Sequence, residues 1–117
     1  MKKILVILSS DATEVYNDLK RKAASSKIEK TILSSITKKI DLVKSDPHYG
    51  DPIAKNLIPK QYIKKYEISN LFRIELPNYW RMLYTLRDGE TEIEIIAFVL
   101  DIFDHIEYNK KFDYKKK

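Results

Sequence analysis

Asn70-Leu71-Phe72-Arg73-Ile74-Glu75-Leu76-Pro77-Asn78-Tyr79-Trp80-Arg81-Met82-Leu83-Tyr84 holds two apolar-polar alternations joined by a turn. The way its halves pair decides the fold. A two-residue loop, Pro77-Asn78, sets Ile74 against Arg81 and mixes charge with hydrocarbon on both faces. A three-residue loop, Pro77-Asn78-Tyr79, sets Leu76 against Trp80, Ile74 against Met82 and Phe72 against Tyr84, with Glu75 opposite Arg81 and Arg73 beside them. Apolar and polar residues then separate. The sheet so formed has a core face and a second face carrying Arg73, Glu75 and Arg81.

Downstream, Asp88-Gly89 is a two-residue hairpin signal and predicts a third strand from Thr91 to about Phe103. That turn sets Ile93, Ile95 and Ala97 behind Tyr84, Met82 and Trp80, with Glu94 near Leu83 on the opposite face. The first strand of the three is read from Tyr66 to Leu76 and the second from Trp80 to Leu86. Asp104 to Tyr114 predicts a short helix, followed by Lys115-Lys116-Lys117 as a frayed end.

Upstream, Met1-Lys2-Lys3 precedes Ile4-Leu5-Val6-Ile7-Leu8, too short an apolar run for a signal peptide or a membrane span and read as a buried strand. Asp11-Ala12-Thr13-Glu14 has capping-box spacing and predicts a helix of about three turns with Asp11 as its cap. Ser26 and Glu29 repeat the arrangement. The second helix carries Ile28, Ile32, Ile36, Ile40 and Val43 at helical spacing, one stripe facing a core, with Lys27, Lys30, Lys38, Lys39 and Lys44 mostly off it. A helical hairpin cannot bury such a stripe alone and must lie on the sheet. Ser45-Asp46-Pro47 ends it, and Gly50, Pro52 and Pro59 predict an irregular linker.

A chain of 117 residues fits one domain, 1–117, with a core that needs no staples. The absence of cysteine excludes thiol catalysis and thiolate metal sites and fits a reducing cytoplasm. With two glycines in all there is no Gly-rich phosphate loop, and the two histidines, His48 and His105, lack a ligand-like partner, so no cofactor and no metal are expected. The net charge of +5 is unevenly placed: residues 1–60 hold 12 Lys and Arg against 7 Asp and Glu, residues 61–117 hold 10 against 10. A basic helical half suits RNA, DNA or an acidic protein, and also plain solubility.

The order of strand, two helices, irregular linker, three antiparallel strands and basic tail resembles the RelE/ParE toxin superfamily. Asn70 to Leu76 followed by Tyr79 to Tyr84 resembles the family's paired strands, where a basic residue recurs in the first and Arg-x-x-Tyr ends the second. Phe98 to Tyr108 resembles the last strand running into a His/Arg…Tyr tail, and Asp46-Pro47 to Gly50 the linker. The resemblance implies an α+β fold: an N-terminal strand, a two-helix hairpin and a three-stranded antiparallel meander in one sheet, helices on one face and a short C-terminal tail or helix. It also implies the toxin of a type II toxin-antitoxin system, in the cytoplasm and away from membranes, neutralised by an acidic antitoxin. In the RelE branch the activity is ribosome-dependent cleavage of messenger RNA; in the ParE branch it is inhibition of DNA gyrase without a nuclease site. A degenerate RNA-binding member is a further alternative.

Cleavage of this kind needs a base for the ribose 2′-hydroxyl, cations for the phosphorane-like transition state and an acid for the leaving 5′-oxygen. Arg81 matches the family's sheet arginine, with a structural pair to Glu75 as its plain role. Arg73 matches a phosphate-binding position. Glu75 stands where the family often has lysine, either as general base or as the mark of a lost activity. His105, with Asp104 to orient it, is placed for proton transfer or as a surface residue, and Tyr108 for base stacking or for covering the core edge. Lys110 and Lys111 offer phosphate charge or a solvated run; His48 and Tyr49 in the linker are equally open.

Overall fold

A computed structural model describes residues 3–91 and 94–112, without the side chain of His105. The expected place of Ile93, the end of the tail at Tyr114, and Lys115 to Lys117 lie outside the described residues. The chain is α+β. Its elements are β1 (Lys3–Leu8), α1 (Ser10–Ala23), α2 (Lys27–Ser45), β2 (Asp51–Pro52), α3 (Lys60–Tyr66), β3 (Phe72–Leu76), β4 (Trp80–Asp88), β5 (Glu94–Phe103) and α4 (His105–Phe112). The described strands form one mixed sheet in the order β1-β5-β4-β3-β2, with β1 parallel to β5 and the other neighbours antiparallel.

The β3-β4 register follows the separation of apolar from polar residues: Leu76 pairs Trp80, Ile74 pairs Met82, Phe72 pairs Tyr84 and Glu75 pairs Arg81. Pro77, Asn78 and Tyr79 make the turn between them. Ile74 and Met82 face α1 and α2 in a core that includes Leu19, Ile32, Ile36 and Val43. Full burial of a side chain such as Ile36 contributes roughly 1.5–3 kcal/mol. Ile28, expected on the same stripe, is 54% exposed and lies in the first turn of α2.

The opposite face is not bare. Ile58, Tyr62, Leu71, Leu83, Leu100, Phe103 and Tyr108 form a second buried cluster there, so α3 and α4 cover part of the face that carries Arg73, Glu75 and Arg81. The expectation of helices on one face is therefore corrected. The linker accounts for much of the difference. Pro59 stands just before α3, where the first amides have no intrahelical acceptor and a missing N–H costs little. Asp51 and Pro52 add a short edge strand to β3, a position that tolerates proline. Tyr66 closes α3, and Glu67 turns the chain with φ 54°. Strand pairing thus starts at Phe72, later than predicted. Asn70 lengthens the ladder with its side chain, whose Oδ1 accepts from Leu86 N–H at 2.8 Å and whose Nδ2 donates to Leu86 C=O at 3.0 Å.

Three further expectations change. Tyr84 pairs Val99 and Asp88 pairs Ile95, so the chain returns through a longer loop than Asp88-Gly89, with Gly89 N–H donating to Glu94 C=O at 3.0 Å. Between Leu83–Asp101 and Tyr84–Val99 the register shifts, leaving Leu100 as a bulge residue. The cap of α1 is Ser9, not Asp11: its hydroxyl accepts from Ala12 N–H at 3.0 Å and donates to the Leu100 carbonyl at 2.7 Å. At α2 the cap is Ser26 as predicted, though its hydroxyl donates to the Glu29 carboxylate rather than accepting from a backbone amide. β1 is an edge strand with Ile7 exposed, not a fully buried one.

Candidate functional site

Pairing of Glu75 with Arg81 puts Arg73 and Arg81 on adjacent strands, on the face that α4 crosses. Both guanidiniums reach Tyr108. Arg73 Nη1 donates to the Tyr108 hydroxyl at 3.2 Å, while the Arg81 guanidinium carbon lies 5.4 Å from the Tyr108 ring centre, at cation-π range. Tyr108 is only 3% exposed, stacked on Phe112 and edge-on to Phe103. A ring so covered has no open face for a base; its hydroxyl orients Arg73. That hydrogen bond is the largest influence holding the Arg73 guanidinium above its already high pKa, against the desolvation that opposes it.

Arg73 also has two carboxylates within reach, Asp51 at 3.7 Å and Glu75 at 4.0 Å. Glu75 thus pairs with Arg73 rather than with Arg81, which instead donates from Nη1 to the Trp80 carbonyl at 3.1 Å. Both Nε atoms, of Arg73 and of Arg81, are buried without a hydrogen-bond partner. The Glu75 side chain is 64% exposed and borders two hollows. One, of about 300 Å³, includes Lys39, Tyr49, Asp51 and Arg73; the other, of about 620 Å³, includes Asn78, Tyr79 and Arg81.

The remaining predicted residues lie apart from this group or beyond description. His105 opens α4, and its side chain is outside the described residues. Lys110 is exposed and pairs with Glu107 at 3.5 Å. Lys111 is half-buried, 3.8 Å from Asp101 and within cation-π range of Tyr62. His48 packs edge-on against Phe72, with its backbone N–H held by Asp46 Oδ1 at 3.0 Å. Among the described residues no three His, Cys, Asp or Glu side chains converge as metal ligands.

Sequence reasoning missed Asp51, Lys39 and Tyr79. Asp51 is the register partner of Arg73, a pairing made by an edge strand too short to leave a pattern. Lys39 on α2 donates to the Tyr49 hydroxyl at 3.0 Å, a contact that exists only because the linker folds back along the helix. Tyr79 is 71% exposed at the hairpin tip and follows Asn78 in a left-handed conformation, φ 63° after φ 60°. Asparagine at such a position is readable from sequence; a bulky tyrosine held there is not, and sterically unfavourable backbone of this kind concentrates at functional sites.

No family model matches the chain, and no curated protein or solved structure shows significant similarity to it. The arrangement of the arginines, the exposed carboxylate and the two hollows is therefore what bears on function. Two guanidiniums can clamp an anion such as a phosphodiester, and an exposed carboxylate beside them can accept a proton. No helix among the described residues is long and apolar enough to cross a membrane.

Proposed function

We propose that the protein is the toxin of a type II toxin-antitoxin system, a RelE-like endonuclease that cuts messenger RNA on the ribosome. The observation that supports this reading is the placing of Arg73 and Arg81 on neighbouring strands, with the exposed Glu75 beside Arg73 and opposite Arg81. In the proposed reaction the ribose 2′-oxygen bonds to phosphorus and the bond from phosphorus to the 5′-oxygen breaks. Glu75 takes the 2′-hydroxyl proton, Arg73 and Arg81 stabilise the charge on the phosphoryl oxygens, and His105 supplies a proton to the departing 5′-oxygen. Tyr108 holds Arg73 in position. An acidic antitoxin in the same cytoplasm would silence the toxin by covering these cations.

The test is a cell-free translation reaction in which messenger ends are mapped with and without ribosomes. Ribosome-dependent cuts are expected from the wild type, falling by about 10²–10³-fold in Arg81→Ala and by about 10²–10⁴-fold in Glu75→Gln. Intact messenger with the wild-type protein sinks the nuclease reading.

One observation favours a second reading. Asp51 and Glu75 together offset the charge of Arg73, as in a structural ion network. On that basis the chain is a non-catalytic toxin or binding module that occupies a protein such as gyrase, and Arg81→Ala would leave growth inhibition intact.

A further inference from the structure

The outward face of α2 carries Lys27, Lys30, Lys38 and Lys39 together with Thr31 and Ser34 along a groove of about 620 Å³. These positions recur every three or four residues and span just over three turns, so the charge is strung along one side of the helix. Among the described residues no carboxylate lines this groove. The contrast is with the cleft between α1 and the end of β5, where Glu14, Asp18, Asp104 and Glu107 gather around Trp80 and Arg21, with Lys22 and Lys110 paired to Asp18 and Glu107. The acids of that cleft are thus partly neutralised by neighbouring cations, whereas the α2 lysines line a groove that the described carboxylates do not enter.

The groove does not stop at the helix. Lys39 borders both it and the hollow that holds Tyr49 and Arg73, and Glu75 borders both that hollow and the one that holds Tyr79 and Arg81. Cations thus recur from Lys27 to Arg81, with Asp51 and Glu75 between them beside Arg73, and two exposed tyrosines flank the second half of the path. We infer that this path is a binding track for single-stranded RNA, with the α2 lysines holding the phosphate chain and Tyr49 and Tyr79 offering ring faces to its bases.

Lysines spaced along a helix are point charges without fixed geometry, which suits a flexible polyphosphate. The tyrosines distinguish the occupant: bases stack on aromatic faces, whereas an acidic peptide needs only the cations. The inference rests on RNA being the ligand of the reading above and does not require that the RNA be cut.

The test uses the full chain and a fluorescein-labelled 12-residue oligouridylate, with anisotropy read across a salt series. Lys27→Gln, Lys30→Gln and Lys38→Gln are combined, since all three side chains are exposed and their loss leaves the core untouched. Three lost phosphate contacts should lower the slope of log affinity against log salt by about 2 and weaken binding at low salt by roughly tenfold or more. The matching Lys→Arg triple should bind as the wild type does. Equal affinity and slope in the glutamine triple overturn the track, as does absence of binding by the wild type. A polyglutamate peptide that binds more tightly than the oligonucleotide also overturns it and makes an acidic protein the occupant. RNA that is bound through these lysines yet never cut upholds the track while the nuclease reading fails; RNA that is cut while the triple binds normally does the reverse.

Discussion

Tyr108 and Arg73 meet at 3.2 Å, with the phenol accepting from a guanidinium nitrogen, and through this contact α4 governs a side chain on β3. Tyr108→Phe keeps the ring packed on Phe112 and beneath Arg81 but removes the acceptor. It should cost about 1–3 kcal/mol in urea unfolding and lower RNA cleavage by freeing Arg73. Tyr108→Ala also empties part of the second core and should cost about 3–5 kcal/mol. If Tyr108→Phe matched the wild type in both assays, the hydroxyl would have no positioning role.

A close approach fixes residue 50 as glycine. A Cβ placed there would lie 2.9 Å from Tyr84 Cε1 and 3.2 Å from the Arg73 carbonyl oxygen, and the second of these is backbone that cannot swing away. The same tyrosine hydroxyl accepts from Gly50 N–H at 3.0 Å and donates to the Pro47 carbonyl at 2.7 Å, pinning the linker to β4. Gly50→Ala should therefore destabilise by about 1–3 kcal/mol, and Tyr84→Phe by a similar 1–3 kcal/mol or so through the stranded amide. Because the two substitutions act on one contact, the double variant should fall short of their sum. Additive losses in thermal unfolding would argue against a shared clamp.

Asp101 gives stability a distinctive pH dependence. Burial pushes its carboxyl above the usual carboxylate range, outweighing the Tyr62 hydrogen bond at 2.8 Å and the nearby Lys111 ammonium, which lower it. A raised folded-state pKa means that the native protein holds the proton more tightly than the unfolded chain does. The associated stability is present at acid pH and lost as pH rises through the folded value. Asp101→Asn keeps an acceptor for Tyr62 and cannot ionise. The melting temperature of the variant minus that of the wild type should accordingly grow between about pH 3 and about pH 7. A difference that stays flat or shrinks would mean that the Lys111 ion pair, not burial, dominates at this site.

Ser9 joins α1 to β5 through a residue ninety-one positions away, capping α1 while donating to the bulge carbonyl of Leu100. Ser9→Ala removes a helix cap, worth about 1 kcal/mol, and leaves a buried carbonyl unpaired at a further cost of about 1–3 kcal/mol. Asp11→Ala should change stability by less than about 1 kcal/mol, since Asp11 is exposed and its partner is Lys65 on the surface. Equal effects of the two substitutions on urea unfolding would return the cap to Asp11.

What was legible in the sequence was local or periodic. The alternation in Phe72–Tyr84 admits one register that separates oil from charge, and the structure adopts it. The stripe of Ile32, Ile36 and Val43 marks the buried side of α2 for the same reason, because burial area rewards a single face. Arg73, Glu75 and Arg81 were readable as neighbours once that register was set.

Tertiary structure decided whatever depends on a partner distant in sequence. Asp11 had the capping spacing, yet Ser9 caps α1 because β5 brings the Leu100 carbonyl to it. The Asp88-Gly89 signal gave way to a longer loop, since the observed register pairs Val99 with Tyr84, Ala97 with Leu86 and Ile95 with Asp88. Asp51, Lys39 and Tyr79 join the candidate site only when the linker folds along α2 and the hairpin tip turns outward. Tyr108, which the sequence left open between stacking on a base and covering the core edge, is buried because α4 closes over the second core. Periodicity records which face of an element is apolar; it carries no record of which other element will cover it.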